Sequence, residues 1–288
     1  MKFVTPSILK QVYPKKPDWS HKGQYGKLLV ISGSERITGA GILVGMAAFR
    51  AGVDTVYQAG PKRSMDVVAK YYPAFLTLPL DGKQLERRHV PEILEFMEEM
   101  GIAAVEIGNG LWRTNETRKA VIELVKKIKL PMVIDADAIR ALRDAKDMLS
   151  KKESLILPHS DEFRELTGIH IVDTTSVDKR TKIVKEQAGK LKTVILLKGH
   201  VDIISDGNKV VLNNVHSNLQ TKGGFGDTLA GICAALISRK INKVDLFTAA
   251  CAAAYINGKA GVFAVKKYGI GVLPTDAINE IPNVIKNG

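Results

Sequence analysis

Several residue types are scarce in this chain, and each scarcity excludes a class of protein. Two cysteines, Cys233 and Cys251, are too few for a disulfide framework or a cysteine-rich metal centre, so we expect buried packing residues. No run approaches the roughly 20 apolar residues of a membrane helix. Pro and Lys interrupt the N-terminal residues too early for a secretory signal. We therefore expect a cytoplasmic protein that does not bind membranes.

Acidic residues are also in short supply. The chain has 30 Asp and Glu against 42 Lys and Arg, a net charge of +12. Such an excess attracts anions, which include nucleic acids, acidic membranes and phosphorylated metabolites. The basic residues are scattered and aromatic residues make up only 6% of the chain, whereas nucleic-acid binders cluster basic residues and interleave aromatic ones. We predict an anionic small molecule as the partner and no nucleic acid.

Short β-branched runs alternate with longer helical patterns. The predicted strands are 27–32, 53–58, 103–107, 132–135, 155–157, 194–198 and 201–205, with 209–212 before a helical C-terminal third. The predicted helices are 39–51, 90–100, 114–128, 177–191, 227–238 and 244–268. Several strands are apolar on both faces, as in a parallel sheet covered on two sides. This order predicts an α/β fold, a three-layer α/β/α sandwich with a mainly parallel central sheet, as one domain over residues 1–288.

In such sandwiches ligands bind beyond the carboxyl ends of the strands. Segments 135–137 and 158–163 follow two of the predicted strands and carry acidic side chains. Asp135 and Glu162 could hold Mg²⁺ there through water or a bound phosphate, while helix capping is the alternative for neighbouring acidic residues. His159 could contact a ligand or cap the helix that follows. Two glycine-containing loops, at other strand ends, could approach a ligand or merely form tight turns.

The segment 222–231, Lys-Gly-Gly-Phe-Gly-Asp-Thr-Leu-Ala-Gly, is the strongest signal. Backbone N–H groups among glycines at a helix start form an anion hole. Asp227 in the first turn could take a proton from a substrate hydroxyl while phosphate charge develops in that hole, or it could only stabilise the helix start. Lys198, at the end of a buried strand, suits nucleotide phosphates, with a solvated lysine as the alternative.

The Gly-x-Gly-Asp helix start resembles that of ribokinase-like kinases. Nearly the whole chain is similar to one branch of them, the ADP- or ATP-dependent NAD(P)H-hydrate dehydratases. The shared elements are Asp-Ala-Asp-Ala at 135–138, Pro-His-x-x-Glu-Phe at 158–163 and Gly-x-Gly-Asp-x-Leu-Ala-Gly at 224–231. The resemblance implies a ribokinase-like lyase that repairs hydrated NADH or NADPH (NADHX, NADPHX). It would phosphorylate the C6 hydroxyl with ADP or ATP and Mg²⁺ and then eliminate phosphate.

The resemblance also implies roles for single residues. Asp227 would be the catalytic base. The substrate contacts would be Ala40, Gly110, His159 and Asp227. The nucleotide site would comprise Lys198, Gly199, His200, Val201, Asp202, Gly224 and Gly226. The family further suggests a homo-oligomer, a tetramer.

Several positions depart from the family's pattern. Segment 108–112 reads Gly-Asn-Gly-Leu-Trp where the family has Gly-Pro-Gly-Leu-Gly, so Trp112 replaces a glycine. Lys222 and Phe225 replace two threonines, and Asp202 stands where Thr is usual. The competing function is a ribokinase-like kinase that stops after phosphorylating an alcohol such as a sugar or a hydroxymethylpyrimidine. A nucleotide-binding protein without catalysis is the third alternative.

Overall fold

A computed structural model describes residues 2–171 and 176–288. They contain a nine-stranded sheet in the order β3-β2-β1-β4-β5-β6-β7-β8-β9. The strands are β1 (Lys27–Ile31), β2 (Thr55–Pro61), β3 (Leu76–Leu80), β4 (Ala104–Ile107), β5 (Met132–Ile134), β6 (Ser154–Ile156), β7 (Val194–Leu197), β8 (Asp202–Ser205) and β9 (Val210–Asn213). Strands β1 to β7 pair in parallel, and β8 and β9 continue the sheet as antiparallel strands.

Helices cover both faces of this sheet. They are α1 (Ile8–Val12), α2 (Ala40–Arg50), α3 (Lys62–Tyr71), α4 (Val90–Met100), α5 (Asn115–Lys127), α6 (Ala136–Ala141), α7 (Ser160–Thr167), α8 (Val177–Leu191), α9 (Phe225–Ile237), α10 (Leu246–Tyr268) and α11 (Pro274–Lys286). In β1, Leu28 and Val30 belong to the core cluster under α2, α9 and α10. Leu29 and Ile31 belong to the cluster under α4, α5 and α8. Because alternate residues of the strand face different helix layers, the predicted three-layer sandwich is confirmed.

The sequence patterns missed some elements. The edge strand β3, Leu-Thr-Leu-Pro-Leu, is only partly buried and contains Pro79, and a proline within a short apolar run argues against a central strand. Helices α1, α3, α6 and α11 were also not predicted. Helix α9 begins at Phe225, two residues before the predicted start at Asp227, because Gly224 is its N-cap.

Close packing of α9 on α2 holds the glycine-rich segment in place. A β-carbon on Gly231 would lie 2.1 Å from the backbone oxygen of Val44, so only glycine allows this approach. Cys233, on the same helix, and Cys251 are both buried and free, as predicted. Across the residues described, no helix combines the length and apolar character that crossing a bilayer requires.

Candidate active site

The start of α9 lies beyond the carboxyl ends of the central strands. Its N-cap, Gly224, has a φ of +108°, and a β-carbon there would lie 2.6 Å from the side chain of Leu43. Glycine is therefore required by both backbone conformation and space. The first intrahelical bond runs from the N–H of Thr228 to the oxygen of Gly224, at 3.0 Å. The N–H groups before Thr228 form the positive end of the helix, where an anion is favoured.

Asn109, beside the sheet, holds Asp227 by a hydrogen bond. This residue follows β4, is 1% exposed, and donates from Nδ2 to Asp227 Oδ1 and to Asp135 Oδ2, the latter at 3.2 Å. One amide group thus bridges two carboxylates. Sequence reasoning missed Asn109 as a site residue, although its place in segment 108–112, where the family's pattern has Pro, was a signal.

Lys198 is the cation of this cluster. Its Nζ lies 2.7 Å from Asp135 Oδ1 and 3.8 Å from Glu162 Oε2. Burial alone would lower the pKa of Lys198, but the two carboxylates outweigh burial and raise it. The ammonium is therefore charged and held inside the site, which rules out the solvated-lysine alternative. Its side chain is 20% exposed, so one side remains open to a ligand.

Burial raises the pKa of the Asp227 carboxyl from an ordinary 3.8 to about 6. The hydrogen bond from Asn109 and the charge of Lys198 lower the pKa, whereas Asp135 and Glu162 raise it. A carboxylate with a pKa near neutral is a better proton acceptor than an ordinary aspartate. Such a carboxyl is chemically able to act as a general base, and that role stays a prediction.

His159 caps α7, the structural alternative considered for it. Its Nδ1 accepts from the N–H groups of Asp161 and Glu162, at 3.1 and 3.4 Å. Its Nε2 lies 3.2 Å from Glu162 Oε1. Burial would raise the pKa of Glu162, but the hydrogen bond from His159 and the charge of Lys198 hold it below the ordinary value. The capping role is confirmed, and contact with substrate stays a prediction.

A cavity of about 680 Å³ opens beside the start of α9. Five predicted nucleotide residues line it: Lys198, Gly199, His200, Asp202 and Gly226. His159 and Lys222 line it as well, together with residues 215–218, Gln220 and Thr221, which sequence reasoning did not single out. Two predicted nucleotide residues do not line the cavity. Val201 packs against the core cluster under α8, and Gly224 faces α2.

Asp202 shapes the wall of this cavity. Its Oδ1 accepts from the N–H of Gly199 at 3.1 Å, and its Oδ2 accepts from Asn213 Nδ2 at 2.9 Å. Burial raises the pKa of Asp202 to about 6, against the lowering effect of these hydrogen bonds. The carboxylate thus replaces the usual threonine with a group that fixes the loop after β7.

Two predicted substrate residues, Ala40 and Gly110, lie close together. Gly110 has a φ of +73°, and a β-carbon there would lie 3.1 Å from Ala40 Cβ and 2.8 Å from Ile37 Cγ2. The loops after β1 and β4 are therefore in contact. Asn109 in the second loop binds Asp227, and Gly226, the residue before Asp227, lines the cavity, so the start of α9 is in contact with both.

The carboxylates predicted to hold Mg²⁺ already have partners. Asp135 accepts from Lys198 and Asn109, and Glu162 is bonded to His159 and faces Lys198. Among the described residues no group of three or more His, Cys, Asp or Glu is arranged to hold a metal. These oxygens do not fit a directly bound Mg²⁺. Contact through water or a phosphate stays a prediction.

The mainly parallel sheet with helices on both faces is a ribokinase-like fold, in which Asp227 lies at a glycine-led helix start. A ribokinase-like superfamily protein from Enterococcus faecalis has this fold, with a TM-score of 0.81, 20% identity, and coverage of 100% of this chain and 96% of that one. A family model described as NAD(P)H-hydrate dehydratase matches residues 28–283. The chain belongs to the NAD(P)H-hydrate dehydratase family.

Several relatives are similar over most of this chain. The ADP-dependent (S)-NAD(P)H-hydrate dehydratase of Nitrosopumilus maritimus is 34% identical, covering 99% of this chain and 97% of the relative. The bifunctional NAD(P)H-hydrate repair enzyme Nnr of Pyrobaculum aerophilum is 38% identical over 93% of this chain, which spans only 52% of that relative. The Bacillus subtilis ADP/ATP-dependent NAD(P)H-hydrate dehydratase, co-crystallised with ATP and Mg²⁺, has a TM-score of 0.81 and 25% identity, covering 99% and 98%.

Proposed function

We propose that residues 1–288 act as one ADP- or ATP-dependent dehydratase domain that returns the hydrates of NADH and NADPH to the intact cofactors. The observation that carries this proposal is Asp227, a half-buried carboxyl at a helix N-terminus. It has a pKa of about 6, accepts a hydrogen bond from Asn109 beside Gly110, and follows Gly226, which lines a nucleotide-sized cavity. Pockets of 300–1,000 Å³ are typical of such ligands.

The first step is phosphoryl transfer to the C6 hydroxyl of the hydrated nicotinamide ring. Asp227 accepts the hydroxyl proton while the oxygen attacks the terminal phosphorus of the nucleotide and the bond to the departing nucleotide breaks. The N–H groups at the start of α9 stabilise the charge on the transferring group. Lys198 lies on the cavity wall, where its ammonium can bind the donor's phosphates.

The second step is elimination. Hydroxide is a poor leaving group, whereas phosphate leaves readily. The lone pair of the ring nitrogen expels phosphate from C6, and loss of a proton from C5 restores the double bond. The products are NADH or NADPH, inorganic phosphate and the spent nucleotide.

In this proposal Mg²⁺ would enter bound to the nucleotide and would neutralise part of its phosphate charge. Asp135 and Glu162 would meet it through water or phosphate. The two carboxylates themselves hold Lys198 in place, so their direct task is to orient the cation.

The proposal includes a cytoplasmic location and a homo-oligomer, for which a tetramer is suggested. The buried free thiols suit a reducing compartment. Tyr268, Ile270 and Leu273 are large apolar side chains that are 55%, 82% and 49% exposed. A subunit interface would cover such a patch.

Incubation with hydrated NADH plus ADP or ATP tests this function. We expect absorbance at the reduced-nicotinamide band to return, with one phosphate released per molecule repaired. A stable phosphomonoester without recovered absorbance would instead indicate the ribokinase-like kinase. Asp227→Asn is the negative control. Asp161→Asn, which replaces an exposed aspartate at the start of α7, is its matched control.

A further inference from the structure

Trp112 has an unfavourable backbone conformation. Its φ is +71°, and it is one of four described non-glycine residues with positive φ. The left-handed region is a genuine outlier for a bulky side chain, so the backbone of Trp112 is strained. The residue is 39% exposed, so burial of the indole in a core does not offset this strain. Strain of this kind is concentrated at functional sites.

Arg36 stacks on this ring. Its guanidinium carbon lies 5.0 Å from the centroid of the indole. The charged residues next to the pair form ion pairs of their own. Glu35 Oε1 lies 3.3 Å from Lys83 Nζ, and Arg113 Nε lies 3.0 Å from Asp137 Oδ1. In the part of the chain that the structure describes, Arg36 has no carboxylate within 4.0 Å. An exposed, unpaired guanidinium on an aromatic ring is suited to bind a phosphate.

The pair lies at the edge of the substrate loops. Trp112 follows Asn109 by three residues, which span at most about 11 Å. Its N–H donates to Asp137 Oδ2 at 3.1 Å, which fixes the strained backbone. Arg36 precedes Ile37, whose side chain contacts Gly110. Neither Arg36 nor Trp112 lines the nucleotide cavity.

We propose that Trp112 and Arg36 form a subsite for the adenylate half of the dinucleotide substrate, with adenine stacked on the indole and a phosphate on the guanidinium. This subsite rests on the proposed function. The substrate carries its reacting hydroxyl on the nicotinamide ring, which is not aromatic, has two saturated carbons more than the cofactor after hydration, and must face Asp227. Adenine is therefore the group with a full π-face to offer the indole.

The test compares hydrated NADH with hydrated reduced nicotinamide mononucleotide, which lacks the adenylate half. For the wild-type protein we expect a lower KM for hydrated NADH. In Trp112→Gly and in Arg36→Ala this preference should shrink about tenfold, since base–aromatic stacking and charge-assisted hydrogen bonds each contribute on that scale. Trp19→Ala, at a 94% exposed tryptophan outside the site, should keep the full preference.

Thermal unfolding provides the second readout. Trp112→Gly should unfold at the same or a higher temperature, because glycine adopts the left-handed region without strain. An unchanged preference in Trp112→Gly, or an equal rise in KM for both substrates, would overturn the subsite. If the wild type repairs neither hydrate, the proposed function fails. Calorimetric binding of NADH and of reduced nicotinamide mononucleotide then decides the subsite, with the same Trp112-dependent difference expected.

Discussion

Replacing Asp227 by Asn should abolish turnover and at the same time stabilise the folded protein above neutral pH. The amide can still accept the hydrogen bond from Asn109, so the geometry of the site is retained. It cannot take the hydroxyl proton. Loss of a general base lowers the rate by about 10²–10⁴. We expect kcat at saturating substrate to fall within that range.

The stability effect follows from the pKa of Asp227. Folding raises it from 3.8 to about 6, mainly by burial, so the folded state binds the proton more tightly than the unfolded state. The wild type therefore loses stability as the pH rises from about 4 through 6, by about 3 kcal/mol in all. The Asn variant has no proton to release there. Its advantage should grow over that interval and stay constant at higher pH.

Urea unfolding at pH 4, 6 and 8, combined with kcat for the same preparations, measures both effects. Asp161→Asn removes an exposed acid that pairs with Arg164 at 3.4 Å. This control should change neither quantity appreciably. An Asp227→Asn protein with more than a tenth of the wild-type kcat would refute the role of general base. A stability difference that does not vary with pH would refute the raised pKa.

Three further substitutions probe the surroundings. Lys198→Ala should weaken ATP binding in calorimetry by about 1.5–3 kcal/mol and destabilise the fold by about 3–5 kcal/mol, because two buried carboxylates lose their cation; unchanged values would contradict the ion pairs. His159→Ala should lose about 1 kcal/mol of stability, and His159→Asn, a good N-cap, should not; a raised substrate KM in both variants would indicate ring contact. Glu106→Gln should be increasingly stabilising as the pH rises, because burial, helped by Asp135 and Asp227, raises the pKa of the Glu106 carboxyl well above its ordinary value; a difference in melting temperature that does not vary with pH would contradict the raised pKa.

The sequence by itself determined the features that are local. The continuous apolar run of β1 predicts a strand covered on both faces, because successive residues of a strand point to opposite faces of the sheet. Glycines before Asp227 predict an anion-binding helix start, because backbone conformation and helix polarity need no distant partner. The order of the three acidic and glycine-rich elements was enough to indicate the family.

Only the tertiary structure decided the contacts that set the chemistry. Asn109 and Asp227 are 118 residues apart, and Lys198 and Asp135 are 63 apart. Parallel strands bring their carboxyl ends to one edge of the sheet. Which side chains are then in contact depends on the strand register and on the order of the strands in the sheet, and no local sequence pattern predicts either. The same holds for Trp112, whose left-handed backbone is fixed by a hydrogen bond to Asp137, 25 residues away. The pKa of Asp227 belongs to this second group, because burial and the charges around a carboxyl exist only after the chain has folded.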